Sequence, residues 1–301
     1  MKKIIDLNSC TTGERVSFKA VVVDMKEMPK TTGGTYLNLS LSDSTGRLDT
    51  PIWDNIDMYM DMVSSGAAYK VSGNINKWNG NVQIKNIVLE RLNVGEFDPC
   101  DFLSSYTIDK SLVEEFENTI RNLKEPYRSV AMAATGAIGY SHKRFKEFLA
   151  CPSAEKHHGN RIGGLFLHTC GILKTLQEIY NIYDTSLSVY GPINKVIDYD
   201  RLVLKAILHD VMKLNEYEYE TVIRRKPGKA LNHLIEGVSY LAEINRELGS
   251  VLSEEDLDNI SYAILSHHGQ YGPYEPKTLE DTLLHLADMV DSRIVGAIEK
   301  A

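Results

Sequence analysis

The hydrophobic period changes once along this chain, and the change divides it. In Tyr36-Leu-Asn-Leu-Ser-Leu41 the apolar residues alternate strictly, which puts Leu37, Leu39 and Leu41 on one face of an extended strand. Beyond about residue 110 the apolar residues recur at helical spacing almost to the end. At 301 residues the chain is long enough for two domains of ~100–200 residues each. The expected fold class is therefore α+β and multidomain, with a β domain over residues 1–95, a linker over 96–110 and a helical domain over 111–301.

The first part holds five short strand signals: Val16–Val23, Tyr36–Leu41, Arg47–Trp53, Tyr69–Lys77 and Val82–Leu89. Gly33-Gly34 and Asp43-Ser-Thr-Gly46 supply turn chemistry on either side of the second, and Asn79-Gly80 is a strong hairpin signal between the last two. A helical stretch, Ile56–Val63, lies between the third and fourth. Five strands with that insertion predict a small Greek-key barrel of the OB type.

The second part predicts helices near 111–123, 126–150, 164–183, 200–217, 230–248, 253–267 and 278–299, with 184–199 as a loop. Ser111 with Glu114, Ser253 with Asp256 and Thr278 with Asp281 have capping-box spacing. Ile138–Leu149 is a stretch that could pack between copies in a homo-oligomer.

Charge is unevenly divided. Residues 1–95 carry 11 Lys and Arg against 10 Asp and Glu, while the remainder carries 22 against 31, for a net of −8. An acidic chain is a poor binder of duplex DNA through a broad basic face, but a narrow single-strand groove or a metal-offset acidic site is compatible with it. The opening MKKIIDL lacks the apolar run of a signal peptide, and no stretch approaches the ~18 apolar residues of a membrane helix. Cys10, Cys100, Cys151 and Cys170 form no CxxC pattern, so neither a disulfide framework nor a zinc knuckle is expected and a cytoplasmic compartment fits best.

The chemistry is carried by histidines and aspartates on the predicted helices: His168, His209-Asp210, His233, His267-His268 and Asp288. His168 is in line with Leu165 and Ile172, on the buried face of its helix. Lys213 follows His209 by four residues, on the same helical face. Gly237, one turn after His233, leaves room for a bulky neighbour, and His285, one turn before Asp288, reads as a partner of that carboxylate rather than a ligand. Imidazoles suit transition metals, carboxylates suit harder ions such as manganese, and a mixture suits two adjacent ions. Two such ions need a bridging carboxylate, for which Asp210 is the natural choice.

This ordered set resembles the HD-domain metal-dependent phosphohydrolases, and the surrounding residues are similar to one branch, the YhaM-type 3′→5′ exoribonucleases. The similar segments are His157-His158, Gly163-Gly164-Leu165-Phe-Leu-His168-Thr169, Ala206-Ile-Leu-His209-Asp210-Val-Met-Lys213, Leu231-Asn-His233-Leu-Ile235, Ile264-Leu-Ser-His267-His268-Gly269 and Leu284-His285-Leu-Ala-Asp288-Met-Val-Asp291. That branch joins an N-terminal OB domain to an all-α HD-domain helical bundle in a chain of about this length. The resemblance implies that His168, His209, Asp210 and Asp288 hold one divalent ion and that Asp210, His233, His267 and His268 hold a second. Mn2+ is the favoured ion, with Fe2+, Co2+ and Mg2+ as alternatives. It also implies catalytic roles for Asp210 and for Lys213, which would face the substrate phosphate and act as acid. Two departures, Met212 and Asn232 where members usually have Gly, put bulk near the expected site.

In the β domain, the loop Met25–Gly34 carries Lys26 and Lys30, and the Trp78 hairpin forms a second candidate contact. OB folds bind single strands through such loops and the face of strands 2–3, where aromatic rings stack bases and lysines track phosphates. Lys26, Lys30, Tyr36 and Trp78 are therefore the expected nucleic-acid contacts, with Trp53 placed in the core. Arg224 and Arg225, in a predicted loop before the His233 helix, could guide a strand toward the metal site. The leading expectation is an exonuclease on single-stranded RNA, with single-stranded DNA as a second substrate and nucleoside monophosphates as products. The alternatives are an HD phosphohydrolase acting on a small nucleotide and a non-catalytic nucleic-acid-binding protein with a relic site.

Overall fold

The computed structural model describes residues 1–31, 33–155 and 159–300; His157 and His158 lie outside the described residues. The chain divides into two compact units, Met1–Ser105 with Tyr219–Ile223, and Tyr106–Glu218 with Arg224–Ala301.

The first unit is a five-stranded antiparallel sheet of β1 (Arg15–Pro29), β2 (Thr35–Asp43), β3 (Gly46–Ile52), β4 (Ala68–Trp78) and β5 (Asn81–Arg91), with α1 (Ile56–Met62) between β3 and β4. The order is β3-β2-β1-β4-β5. The open edges meet through a buried side chain: Thr50 on β3 donates its hydroxyl to Ile84 O at 3.1 Å and accepts from Ile84 N at 2.8 Å on β5. Leu37, Leu39 and Leu41 are fully buried, as their alternation requires, and face Phe18, Val71 and Ile84 in one core. Each such side chain contributes roughly 1.5–3 kcal/mol relative to exposure. Gly73 is needed at the β4 bulge, where a Cβ would stand 2.4 Å from Ile84 Cγ2.

One boundary differs from expectation in a way that matters. β1 continues to Pro29 in register with β2, pairing Lys26 with Asn38, so the connecting loop is short and Lys26 is a strand residue ion-paired to Asp24 at 2.7 Å.

The second unit contains α2 (Lys110–Asn122), α3 (Tyr127–Thr135), α4 (His142–Ala150), α5 (Gly164–Asn181), α6 (Tyr199–Leu208), α7 (Lys213–Glu216), α8 (His233–Glu247), α9 (Glu254–Ser266) and α10 (Leu279–Ile298), and between α7 and α8 the chain forms a ribbon of β6 (Tyr217–Tyr219) and β7 (Ile223–Arg225). Phe116, Phe148 and Phe166 meet edge-to-face or tilted where α2, α4 and α5 pack. Arg224 and Arg225 thus lie on a strand rather than in a loop. The 126–150 stretch is two helices, not one. Gly136 takes a left-handed φ of 77° as the α3 cap, where a Cβ would meet Ser141 O at 2.5 Å, and Ser141 then caps α4. The Ser111 capping box is also replaced: Asp109 is the N-cap and accepts from Ser111 N. The Thr278–Asp281 capping box is present, and Ser253 accepts from Asp256 N.

Candidate metal centre and nucleic-acid face

The expected helix 200–217 stops at Leu208, and that stop builds the site. The last carbonyls of a helix lack intrahelical partners. At the end of α6, His209 turns its ring back so that Nδ1–H donates to Ala206 O at 2.7 Å. At the end of α9, His267 does the same to Ile264 O at 2.8 Å. Each bond fixes the tautomer and leaves the Nε2 lone pair pointing inward. After His209 the chain turns through Asp210–Met212 into α7, so Lys213 lies across a turn rather than along one helix from His209.

His168 and His233 are held by carboxylates. His168 Nδ1 bonds to Asp291 Oδ2 at 2.7 Å, and His233 Nδ1 bonds to Glu216 Oε2. The four Nε2 atoms surround Asp210. Oδ2 lies 3.6 Å from His168 Nε2 and 3.3 Å from His209 Nε2, while Oδ1 lies 3.3 Å from His233 Nε2 and 3.7 Å from His267 Nε2. Two donor groups result, Asp210–His233–His267–His268 and His168–His209–Asp288, each with its atoms within 4.8 Å of one another. Asp288 Oδ1 is 3.2 Å from His168 Nε2.

This donor set fits a divalent metal. Asp210 Oδ1, His233 Nε2 and His267 Nε2 are buried with no hydrogen-bond partner among the described residues. Leaving such groups unpaired costs about 1–3 kcal/mol each, which coordination offsets. Burial opposes the charge on Asp210, but Lys213, His209 and His233 hold its carboxyl well below the usual range. Burial and the neighbouring His209 keep His267 neutral, as a ligand must be. Lys213 Nζ sits 2.6 Å from Asp210 Oδ2; burial works against its charge, yet that carboxylate raises its pKa.

Several expectations change. His285 does not partner Asp288; its Nδ1 bonds to His267 O at 2.7 Å and braces the end of α9. The space beside Gly237 is taken by helix packing, since a Cβ there would come within 2.9 Å of Ile264 Cγ2. Asn232 adds no bulk to the centre, because it is the N-cap of α8 and accepts from Ile235 N. That cap also starts the helix at 233 instead of 230. Met212 turns its sulfur to Arg144 Nη2, 3.5 Å away. Two residues went unassigned by sequence reasoning, Asp291 and Glu216. Each lies three residues beyond a flagged position, Asp288 and Lys213, and that spacing was the available signal.

On the β-barrel, Tyr36 stacks on Trp53 with centroids 4.6 Å apart, and Lys30 Nζ stands 5.7 Å from the Trp53 ring centroid while donating to its carbonyl. Trp53 is half exposed, so it is a surface ring and not a core one. It follows directly on β3 and lies against Tyr36 of the adjoining strand. Trp78 projects from its Asn79-Gly80 turn, 65% exposed. Arg224 pairs with Glu218, and Arg225 with the buried Glu216.

Comparison with known proteins matches two separate segments of the chain. The HD domain family matches residues 165–293, and an OB-fold nucleic acid binding domain family matches residues 16–92. The chain thus joins a segment that matches the OB-fold model to one that matches the HD domain model. It is homologous over most of its length to proteins named 3′-5′ exoribonuclease YhaM. It is 26% identical to that of Oceanobacillus iheyensis over 291 residues, covering 94% of this chain and 86% of that protein. It is 27% identical to that of Bacillus licheniformis over 293 residues, with the same coverage of each. Among solved structures, it is 22% identical to the second OB-fold domain of replication protein A from Methanococcus maripaludis, covering 29% of this chain and 92% of that chain, at a TM-score of 0.22. Among the described residues no helix is long and apolar enough to cross a membrane.

Proposed function

We propose that the protein is a metal-dependent 3′→5′ exoribonuclease of the cytoplasm, releasing nucleoside monophosphates from single-stranded RNA and accepting single-stranded DNA as a second substrate. The observation that carries this reading is the division of the Asp210 carboxylate, one oxygen facing His233 and His267 and the other facing His168 and His209. We assign His168, His209, Asp210 and Asp288 to one ion and Asp210, His233, His267 and His268 to a second, with Mn2+ the ion best suited to mixed imidazole and carboxylate donors. Bound ions would supply an activated water at neutral pH and neutralise charge on the phosphoryl oxygens.

The rest of the work falls to side chains. Lys213, kept protonated beside Asp210, is placed to offset charge on the scissile phosphate and to give its proton to the leaving oxygen. Asp291 and Glu216 orient the rings of His168 and His233. On the barrel, Tyr36, Trp53 and Trp78 would stack bases while Lys30 and Lys26 follow the phosphates.

The test is incubation of 5′-labelled single-stranded RNA, beside matching DNA, with the purified protein and Mn2+. The expected result is a ladder shortening from the 3′ end, lost in Asp210→Ala. An intact oligomer together with hydrolysis of free nucleotides would replace this reading with that of a small-nucleotide phosphohydrolase.

A further inference from the structure

Arg224 and Arg225 are neighbours on one strand, yet their surroundings differ. Side chains alternate along a strand, so the two point to opposite sides of the ribbon. Arg224 stays at the surface with Glu218. Arg225 folds back onto Glu216, which is almost fully buried at the end of α7. The ribbon is pinned there by its own backbone, with Lys226 N donating to Glu216 O at 2.8 Å, and by Lys226 Nζ donating to Leu214 O at 3.2 Å.

Glu216 divides its oxygens. Oε1 takes the Arg225 guanidinium, and Oε2 accepts from His233 N at 3.0 Å and from His233 Nδ1. His233 Nε2 then faces Asp210 Oδ1 at 3.3 Å. A carboxylate held at one oxygen by a planar guanidinium cannot rotate freely at the other, so the position of Arg225 is passed through Glu216 to the His233 ring. We propose that Arg225 is a positioning residue of the metal centre, acting on His233 through Glu216, and not a contact for the nucleic-acid strand. The proposal rests on the reading that this cluster holds metal.

The test compares Arg225→Ala and Arg225→Lys with the neighbour variant Arg224→Ala in the full-length protein. Three quantities are read: Mn2+ affinity by calorimetry without RNA, binding of single-stranded RNA to the metal-free protein, and the 15N imidazole signals of His233 in the metal-free protein. Arg225→Ala should weaken Mn2+ binding about tenfold and shift the His233 signals, as loss of a partner behind a ligand does, with RNA binding unchanged. Arg225→Lys should recover part of the loss, because the charge returns without the planar guanidinium, and Arg224→Ala should change neither Mn2+ affinity nor the His233 signals. Unchanged Mn2+ affinity and His233 signals with weakened RNA binding would overturn the proposal. If the wild-type protein takes up no metal, the functional reading falls, and the His233 signals decide the proposal alone: signals unmoved by Arg225→Ala overturn it. Should Arg225→Ala fail to fold, Arg225→Gln, which also removes the charge, makes the same comparison.

Discussion

Gly171 is a helical glycine whose replacement separates stability from metal binding. It lies three residues after His168 on α5, directly beneath the carboxylate that orients that ring. An alanine Cβ there would stand 2.0 Å from Asp291 Oδ1 and 2.9 Å from its Cγ, which the short aspartate side chain can relieve only by swinging away. The 2.7 Å bond to His168 Nδ1 then breaks. A hydrogen bond to a charged group contributes about 1.5–3 kcal/mol. Removing a glycine from a helix interior returns about 1 kcal/mol. The net cost to folding is thus about 0.5–2 kcal/mol, small for a 301-residue chain. Metal affinity should fall far more in proportion, by about 10–100-fold, because His168 loses the partner that sets its tautomer. Urea denaturation of the metal-free protein reads the first quantity and Mn2+ calorimetry the second. Asp291→Ala should give a comparable affinity loss, and the double variant should lose no more than the larger single one, since both remove the same bond. Mn2+ affinity that stays within about twofold of wild type in Gly171→Ala, or losses that add in the double variant, would refute the reasoning.

Other consequences can be checked separately. Trp53→Ala should weaken single-stranded RNA binding about 5–150-fold, the equivalent of one base stacked at about 1–3 kcal/mol; with only two tryptophans, Trp78→Phe isolates the Trp53 fluorescence, and an emission unmoved by RNA would contradict the assignment. Lys205 is wholly buried between Glu280 and Asp281, at 2.9 and 2.8 Å, so Lys205→Met should cost about 3–5 kcal/mol in urea denaturation, while a loss near zero would show that the carboxylates repack. Burial disfavours a charged His168, but Asp288 and Asp291 raise its pKa to about 9 in the metal-free chain. Below that pH the ring carries a proton that an incoming ion must displace, so Mn2+ uptake near neutrality should release a proton and weaken as pH falls, by about tenfold per unit for each proton displaced. Calorimetry in buffers of different ionisation enthalpy measures this, and uptake without proton release would contradict it.

What the sequence made legible depended on how local the cause was. Alternation at Leu37, Leu39 and Leu41 and the Asn79-Gly80 turn are decided by neighbouring residues, and both elements stand as expected. The histidines and aspartates of the centre were visible because their residue types are few and their order is distinctive. The helix breaks at Gly136 and after Leu208 were not, since apolar periodicity runs through both and the breaks are set by Ser141 behind one and by a histidine ring capping the other. Trp53 was misplaced because a large aromatic at a strand end reads as core unless its stacking partner, a residue of the next strand, is known. Asp291 and Glu216 act only through rings brought to them by tertiary packing, and one-dimensional spacing names them weakly.

Asp210, whose two oxygens face separate donor groups, is proposed to join two metal positions in one centre. The most direct measurement is the number of Mn2+ ions bound per chain, by elemental analysis of protein equilibrated with Mn2+ and freed of excess, for wild type and Asp210→Ala. Two ions in the wild type, with both lost or greatly weakened in the variant, is the result predicted for a carboxylate that bridges. A wild-type protein that binds no ion, or one whose ion count Asp210→Ala leaves unchanged, would contradict it.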